Sequence, residues 1–208
     1  ILYYPLDSWF IKATDAKSKM IELNNTINWK PASTGTGRFG NWLENLNDWN
    51  LSRSRYWGTP LPIWRTGPYG PLQEECVGAI AEFQEKNAYF ITEGCIDEKG
   101  NRFEGQSLRK FLGEMRLAGG DVNEHWNNLI REKKIVFLSS LPAEQLDLHR
   151  PFVDFVIFYR NGQVLARELD LIDVWFDSGA MPFAQWHYPF ENKELVDNGH
   201  SYPADFIA

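Results

Sequence analysis

Residues 153–169 read Val153-Asp154-Phe155-Val156-Ile157-Phe158-Tyr159-Arg160-Asn161-Gly162-Gln163-Val164-Leu165-Ala166-Arg167-Glu168-Leu169. Two runs rich in β-branched and aromatic side chains flank Asn161-Gly162, the pair a type I′ turn favours because both of its central residues need positive φ. The stretch predicts a β-hairpin with arms 153–160 and 163–169. Downstream, Leu171-Ile172-Asp173-Val174-Trp175-Phe176 is an apolar run of strand length, ended by Asp177-Ser178-Gly179. Upstream, the pattern turns helical. Ser107 can cap a helix with an apolar face of Leu108, Phe111, Leu112 and Met115, and Gly119-Gly120 stops it. Asp121 with Glu124 caps a second helix that buries Val122, Trp126, Leu129 and Ile130, and residues 135–138 read as a short strand. Nearer the start, a helix is expected over residues 10–23. Another carries Phe39, Trp42, Leu43 and Leu46, with Gly35 to Gly37 as its entry turn, and residues 61–64 read as extended. The fold class is α+β.

The chain has 208 residues, 43% apolar and 24% charged, with a formal charge of −7. That fits one compact domain or two small ones and excludes a wholly disordered chain. No apolar run approaches the roughly 20 residues of a membrane span, and no signal-peptide pattern opens the sequence. Cys76 and Cys95 have neither disulfide-framework nor zinc-type spacing, and the four histidines are scattered, so no metal site is expected and the cytoplasm is the default compartment. Aromatics are abundant: 9 Trp, 8 Tyr and 14 Phe. A Trp-rich core is favoured over binding platforms. Charge is split, with +3 over residues 1–65 and −10 over residues 66–208. The shift coincides with the proline and glycine cluster at 59–71 and predicts a segment boundary near residue 66. Both ends read like the middle of a strand, so an internal fragment is expected.

Three local patterns invite chemistry. Gly35-Thr36-Gly37-Arg38-Phe39-Gly40 has GxGxxG spacing, but a dinucleotide turn needs a strand before it to aim the loop at the pyrophosphate. Residues 28–33 are polar and interrupted by Pro31, so a helix-entry turn is the favoured reading. Arg53 and Arg55 stand beside Tyr56 and Trp57; arginine can hold phosphate while rings stack, and a surface pair over a buried Trp explains the same residues equally well. At −7 the chain is no general nucleic-acid binder, so RNA contact would be confined to the +3 segment. Asp170, Asp173 and Asp177 could serve acid–base chemistry or Mg²⁺. On a strand, however, residues 170 and 173 face opposite ways, and solvated strand-end aspartates are favoured. His149 and His187 read as structural. By themselves these residues describe a soluble α+β fragment with one RNA-facing hint and no catalytic centre.

Three stretches carry a resemblance. Ile27-Asn28-Trp29-Lys30-Pro31 with Gly37-Arg38-Phe39-Gly40-Asn41-Trp42-Leu43-Glu44-Asn45 resembles the segment after the editing insertion of isoleucyl-tRNA synthetases. Asp48-Trp49-Asn50-Leu51-Ser52-Arg53-Ser54-Arg55-Tyr56-Trp57-Gly58-Thr59-Pro60 is similar to their return toward the catalytic Rossmann fold. Asp173-Val174-Trp175-Phe176-Asp177-Ser178-Gly179-Ala180-Met181-Pro182-Phe183-Ala184-Gln185 resembles the strand and loop beside the amino-acid pocket. Leu148-His149-Arg150-Pro151 and residues 180–185 are most like the eukaryote-like branch, and residues 66–147 match loosely.

The resemblance implies a helical connective segment plus a β-hairpin and strands belonging to a class I synthetase Rossmann and connective region. Residues 1–65 would end the editing insertion and return to the Rossmann domain. Residues 66–147 would form a second, mainly helical connective insertion, and residues 148–208 a hairpin and strand bordering the pocket. The implied parent activates isoleucine with ATP and Mg²⁺, transfers it to tRNA(Ile) and hydrolyses valyl-tRNA, since one missing methylene discriminates too little by binding. Trp175 would line the isoleucine pocket, unless it faces the core and Phe176 the ligand. Arg53, Arg55 and Trp57 would contact tRNA or act as a hinge. The His-Ile-Gly-His and Lys-Met-Ser-Lys-Ser type motifs of such enzymes are absent from the sequence. The Glu-Gly-x-Asp-Gln stretch is expected beyond Ala208 and the editing site before Ile1. This stretch alone is therefore expected to bind no cofactor and to be inactive, with the remainder of the synthetase chain as its partner and no membrane. The alternative from another class is a non-catalytic RNA-binding or structural module.

Overall fold

The computed structural model describes residues 4–92, 100, 103–142 and 146–205. Cys95 and the end stretches 1–3 and 206–208 lie outside these. In chain order the first elements are β1 (Phe10–Ile11), α1 (Lys17–Asn24), α2 (Gly40–Glu44), β2 (Trp49–Asn50) and β3 (Ser52–Arg53). Next come β4 (Ile63–Arg65), β5 (Glu74–Cys76), α3 (Ile80–Glu85), β6 (Tyr89–Ile91), α4 (Gly105–Leu117), α5 (Val122–Arg131) and β7 (Ile135–Phe137). The last are β8 (Val156–Arg160), β9 (Gln163–Arg167), β10 (Leu171–Ile172), α6 (Val174–Ala184) and α7 (Lys193–Asp197). Two compact units result: Ile1–Arg53 with Asp173–Ala208, and Ser54–Ile172. The chain leaves the first unit after Arg53 and re-enters it at Asp173.

The boundary expected near residue 66 falls inside a hairpin. β4 and β5 pair antiparallel, with Ile63 opposite Cys76 and Arg65 opposite Glu74. The proline and glycine cluster is their loop, closed by the Thr66 hydroxyl, which donates to the Pro71 carbonyl at 3.0 Å and accepts from the Gln73 amide at 3.0 Å. Prolines mark a turn here, not a linker.

The second unit is built on a six-stranded antiparallel sheet in the order β5-β4-β9-β8-β6-β7. The hairpin read from Asn161-Gly162 is its centre. Asn161 and Gly162 have φ of 52° and 74°, the positive pair a type I′ turn needs, and Arg160 lies opposite Gln163. Successive side chains of β8 serve opposite faces. Val156 and Phe158 join a cluster with Trp64, Phe83 and Leu165, while Ile157 joins Leu108, Leu112, Trp126 and Val164. With both faces covered, these strands are apolar on both sides. α4 begins one turn earlier than expected: Ser107 sits in its first turn and its hydroxyl accepts from the Glu104 amide at 2.8 Å. Asp121 caps α5 as expected, accepting from Glu124 N at 2.9 Å. Within residues 66–147 the helices α3, α4 and α5 carry most of the regular structure, and the short strands β5, β6 and β7 join the sheet.

Charge is also buried here. The Arg167 side chain is 0% exposed and that of Asp154 3%. Arg167 Nε donates to Asp154 Oδ1 at 2.8 Å, and Arg150 Nε donates to Oδ2 of the same carboxylate at 2.7 Å. Arg167 Nη1 reaches the carbonyls of Leu61 (3.3 Å) and Asp170 (3.1 Å), tying β9 to chain segments on either side. Burial pulls the Arg167 pKa down and Asp154 opposes that pull, leaving the guanidinium charged.

In the first unit the expected helix over 10–23 begins later. Phe10 and Ile11 pair with Asn50 and Trp49 in a two-stranded ladder, and a 3-10 turn over Ala13–Ala16 leads into α1. The ladder extends because Leu51 N donates to the Trp9 carbonyl at 2.8 Å. Thr34–Phe39 is a π-helical turn running into α2. Gly35 is needed there for close approach: a Cβ would stand 2.1 Å from the Trp29 ring. Trp29 Nε1 donates to Asn24 Oδ1 (2.9 Å), and Asn24 Nδ2 donates to the Gly35 carbonyl (3.0 Å). The glycine pattern thus serves helix packing, and the element before it is α1 rather than a strand. Among the described residues, no helix is long and apolar enough to cross a membrane.

Candidate functional site

The stretch 171–176 does not continue as a strand. β10 ends at Ile172, Asp173 caps, and Val174 begins α6. The alternation argument for Trp175 and Phe176 therefore lapses: both stand in the first turn of a helix. Trp175 is 72% exposed and Phe176 37%, and no residue of α6 is buried. For a helix carrying Val174, Trp175, Phe176 and Met181 this is unusual; these four side chains are exposed among the described residues, while Phe183 packs on Tyr188 and Tyr202.

What holds the start of α6 is Asp173, which is only 6% exposed. Its Oδ1 accepts from the Trp175 amide at 3.2 Å, filling one of the donor positions a helix leaves open at its N-terminus. Its Oδ2 accepts from Trp49 Nε1 at 3.2 Å and from an Arg53 Nη2 amine, an ion pair. Its own amide donates to the Leu51 carbonyl at 2.8 Å, and its carbonyl accepts from Phe176 N at 2.8 Å. The Trp49 ring lies 6.3 Å from that of Phe176. Parts of two of the sequence stretches singled out above, 48–60 and 173–185, thus meet on one carboxylate. Asp173 is not a solvated strand-end aspartate.

Arg53 is engaged in this network. Besides Asp173, its guanidinium donates to the carbonyls of Asn50 (2.8 Å) and Ser52 (2.9 Å). Arg55 and Trp57 belong to the other unit, where Arg55 is exposed and Trp57 is 74% exposed. Trp57 stacks on His149 at 6.0 Å with an interplanar angle of 7°, and Arg150 sits over the Tyr56 ring at 5.4 Å. His149 is held in turn by Asp147, whose Oδ1 accepts from the His149 amide and lies 2.8 Å from its Nδ1. Those two contacts hold the Asp147 carboxyl below its ordinary value. The two arginines read as a pair from sequence therefore do different things. Asp170 falls in the second unit, and Asp173 and Asp177 in the first. Among the described residues, no three His, Cys, Asp or Glu side chains gather to hold a metal ion. Sequence reading missed Trp49 and the part played by Asp173. The available signal was Asp173 as a helix cap with Asp177 one turn on.

The family model for tRNA synthetases class I (I, L, M and V) matches residues 2–116 and 121–208, and the chain belongs to that family. Within it, the similarity is to the isoleucine branch. The chain is 52% identical over its whole length to the isoleucine–tRNA ligase of Bacteroides fragilis, 50% to that of Cytophaga hutchinsonii and 39% to that of Clostridium tetani. It spans 16%, 14% and 15% of those proteins.

Proposed function

We propose that the chain is part of an isoleucine–tRNA ligase of the cytoplasm and supplies one wall of its isoleucine pocket, with Trp175 as the contact. In the reaction the isoleucine carboxylate attacks the α-phosphorus of ATP, pyrophosphate leaves, and the adenylate then gives its isoleucyl group to tRNA(Ile). The observation that carries the reading is Trp175 itself: a rigid indole, 72% exposed, in the first turn of a helix that follows a strand end. A flat apolar wall suits a branched aliphatic side chain. ATP, its Mg²⁺ and the editing of valyl-tRNA belong to other parts of the complete protein. The test is isoleucine-dependent pyrophosphate exchange into ATP. Exchange is expected with the complete protein and with isoleucine above valine, and none with residues 1–208 alone. Exchange by the isolated chain, or no preference for isoleucine, overturns the reading.

A second role is RNA contact by Arg55 and Trp57, favoured by the exposed Trp57–His149 stack, which offers a flat surface to an unpaired base. Arg53, committed to Asp173, takes the hinge position where the chain leaves the first unit. In the complete protein, Arg55→Ala is expected to lower the slope of log affinity for tRNA against log salt by about 0.7 to 0.9. An unchanged slope in filter binding removes Arg55 from the RNA contact.

A further inference from the structure

A helix with no buried side chain is not oriented by a core. Among the described residues none of α6 is buried, and its packing contacts through Phe183, on Tyr188 and Tyr202, lie near its far end, so within this stretch the direction of Trp175 depends chiefly on how the first turn is held. Several contacts of that turn converge on Asp173. Asp173 accepts from the Trp175 amide with one oxygen and from Trp49 Nε1 and Arg53 with the other, while its amide is bonded to Leu51 O. Its side chain is 8% exposed, and Arg53 is fixed in turn by the Asn50 and Ser52 carbonyls. Trp49 adds its ring against Phe176, the neighbour of Trp175.

We propose that Asp173 is a positioning residue for isoleucine recognition: it locks the first turn of α6 to the 49–53 segment and so sets the Trp175 indole at the angle the substrate side chain needs. Asp173 touches no substrate; it acts through Trp175, and the inference rests on the pocket reading given above. Arg53 is the second member of the lock. Its planar fork bonds the carboxylate and two backbone carbonyls at once, which a lysine ammonium cannot reproduce. A displacement of about 1 Å in a contacting group can cost two orders of magnitude in a well-fitted site, so a loosened turn should be visible in kinetics.

The experiment is a double-mutant cycle on the complete synthetase, read as KM for isoleucine and for ATP in pyrophosphate exchange, with thermal unfolding of each variant. Asp173→Ser keeps a helix-capping hydroxyl but is too short to reach Trp49 and Arg53. It is expected to raise the isoleucine KM about tenfold or more and to leave the ATP KM within about twofold. Added to Trp175→Ala, it should have little further effect on the isoleucine KM, because its influence passes through the indole. Arg53→Lys should move the same parameter in the same direction by less. If Asp173→Ser does not fold, Asp173→Asn serves in the same cycle: it keeps the shape but, whichever way the amide is turned, sets an NH₂ against a donor. A selective effect of Trp175→Ala together with a non-selective or additive effect of the Asp173 variants overturns the positioning role and leaves the pocket reading standing. No selective effect of Trp175→Ala overturns both.

Discussion

Replacing Trp175 by alanine in the complete synthetase is expected to raise the Michaelis constant for isoleucine about 10- to 200-fold, against a change in that for ATP within about twofold. The indole is the largest exposed apolar group of α6, and nothing in the first unit buries it. Removing it disturbs no buried side chain of the described residues and deletes the wall against which an aliphatic side chain would lose water. The energy at stake is about 1–3 kcal/mol, as for comparable apolar contacts. Selectivity matters more than size. A residue packed inside the fold would impair both substrates or lower the unfolding temperature, whereas a pocket wall changes one Michaelis constant. Pyrophosphate exchange at varied isoleucine, then at varied ATP, separates the two; an equal rise in both reassigns Trp175 to a structural role.

The second large effect concerns Asp154. Its carboxylate accepts from Arg167 on one oxygen and from Arg150 on the other, in a setting where Arg167 is fully buried. Asp154→Ala leaves two guanidinium groups facing each other without a counter-charge. Breaking such a buried pair costs about 3–5 kcal/mol, a large part of the 5–15 kcal/mol that stabilises a typical domain. The loss should appear in native-state hydrogen exchange as reduced protection of β8 and β9 amides, since Arg167 ends β9 and ties it to the Leu61 and Asp170 carbonyls. Replacing Asp154, Arg150 and Arg167 together by apolar residues of similar volume should cost much less, because no charge is then left unpaired. Equal losses in the single and triple variants would mean that packing, not charge, is what Asp154 supplies.

How far the sequence reaches depends on whether the deciding contacts are local. The β8–β9 hairpin was legible because the Asn161-Gly162 turn needs only two residues to specify it, and α5 because Asp121 caps it from three residues away. α6 was misread for a physical reason. Val174-Trp175-Phe176 has the side chains of a strand, Ser178, Gly179 and Pro182 are poor helix residues, and no buried face imposes helical spacing. What makes it a helix is the Asp173 cap together with partners 120 and 124 residues away in sequence. No spacing rule can reveal those partners. The division into units escaped for the same reason: the first unit is assembled from both ends of the described chain, while composition shifts mark only contiguous segments. The family resemblance singled out both stretches that meet at Asp173 but did not pair them. Residues 49–53 of its stretch 48–60 and residues 173–176 of its stretch 173–185 make that contact.

The most direct measurement is photolabelling of the complete synthetase with a diazirine-bearing aliphatic amino acid, followed by mapping of the labelled peptide. Saturable labelling at residues 174–176, abolished by excess isoleucine and by Trp175→Ala but not by excess valyl-tRNA, is the expected result. Isoleucine-sensitive labelling confined to residues outside 171–184, with the same yield in Trp175→Ala, would contradict the placement of the pocket on this helix.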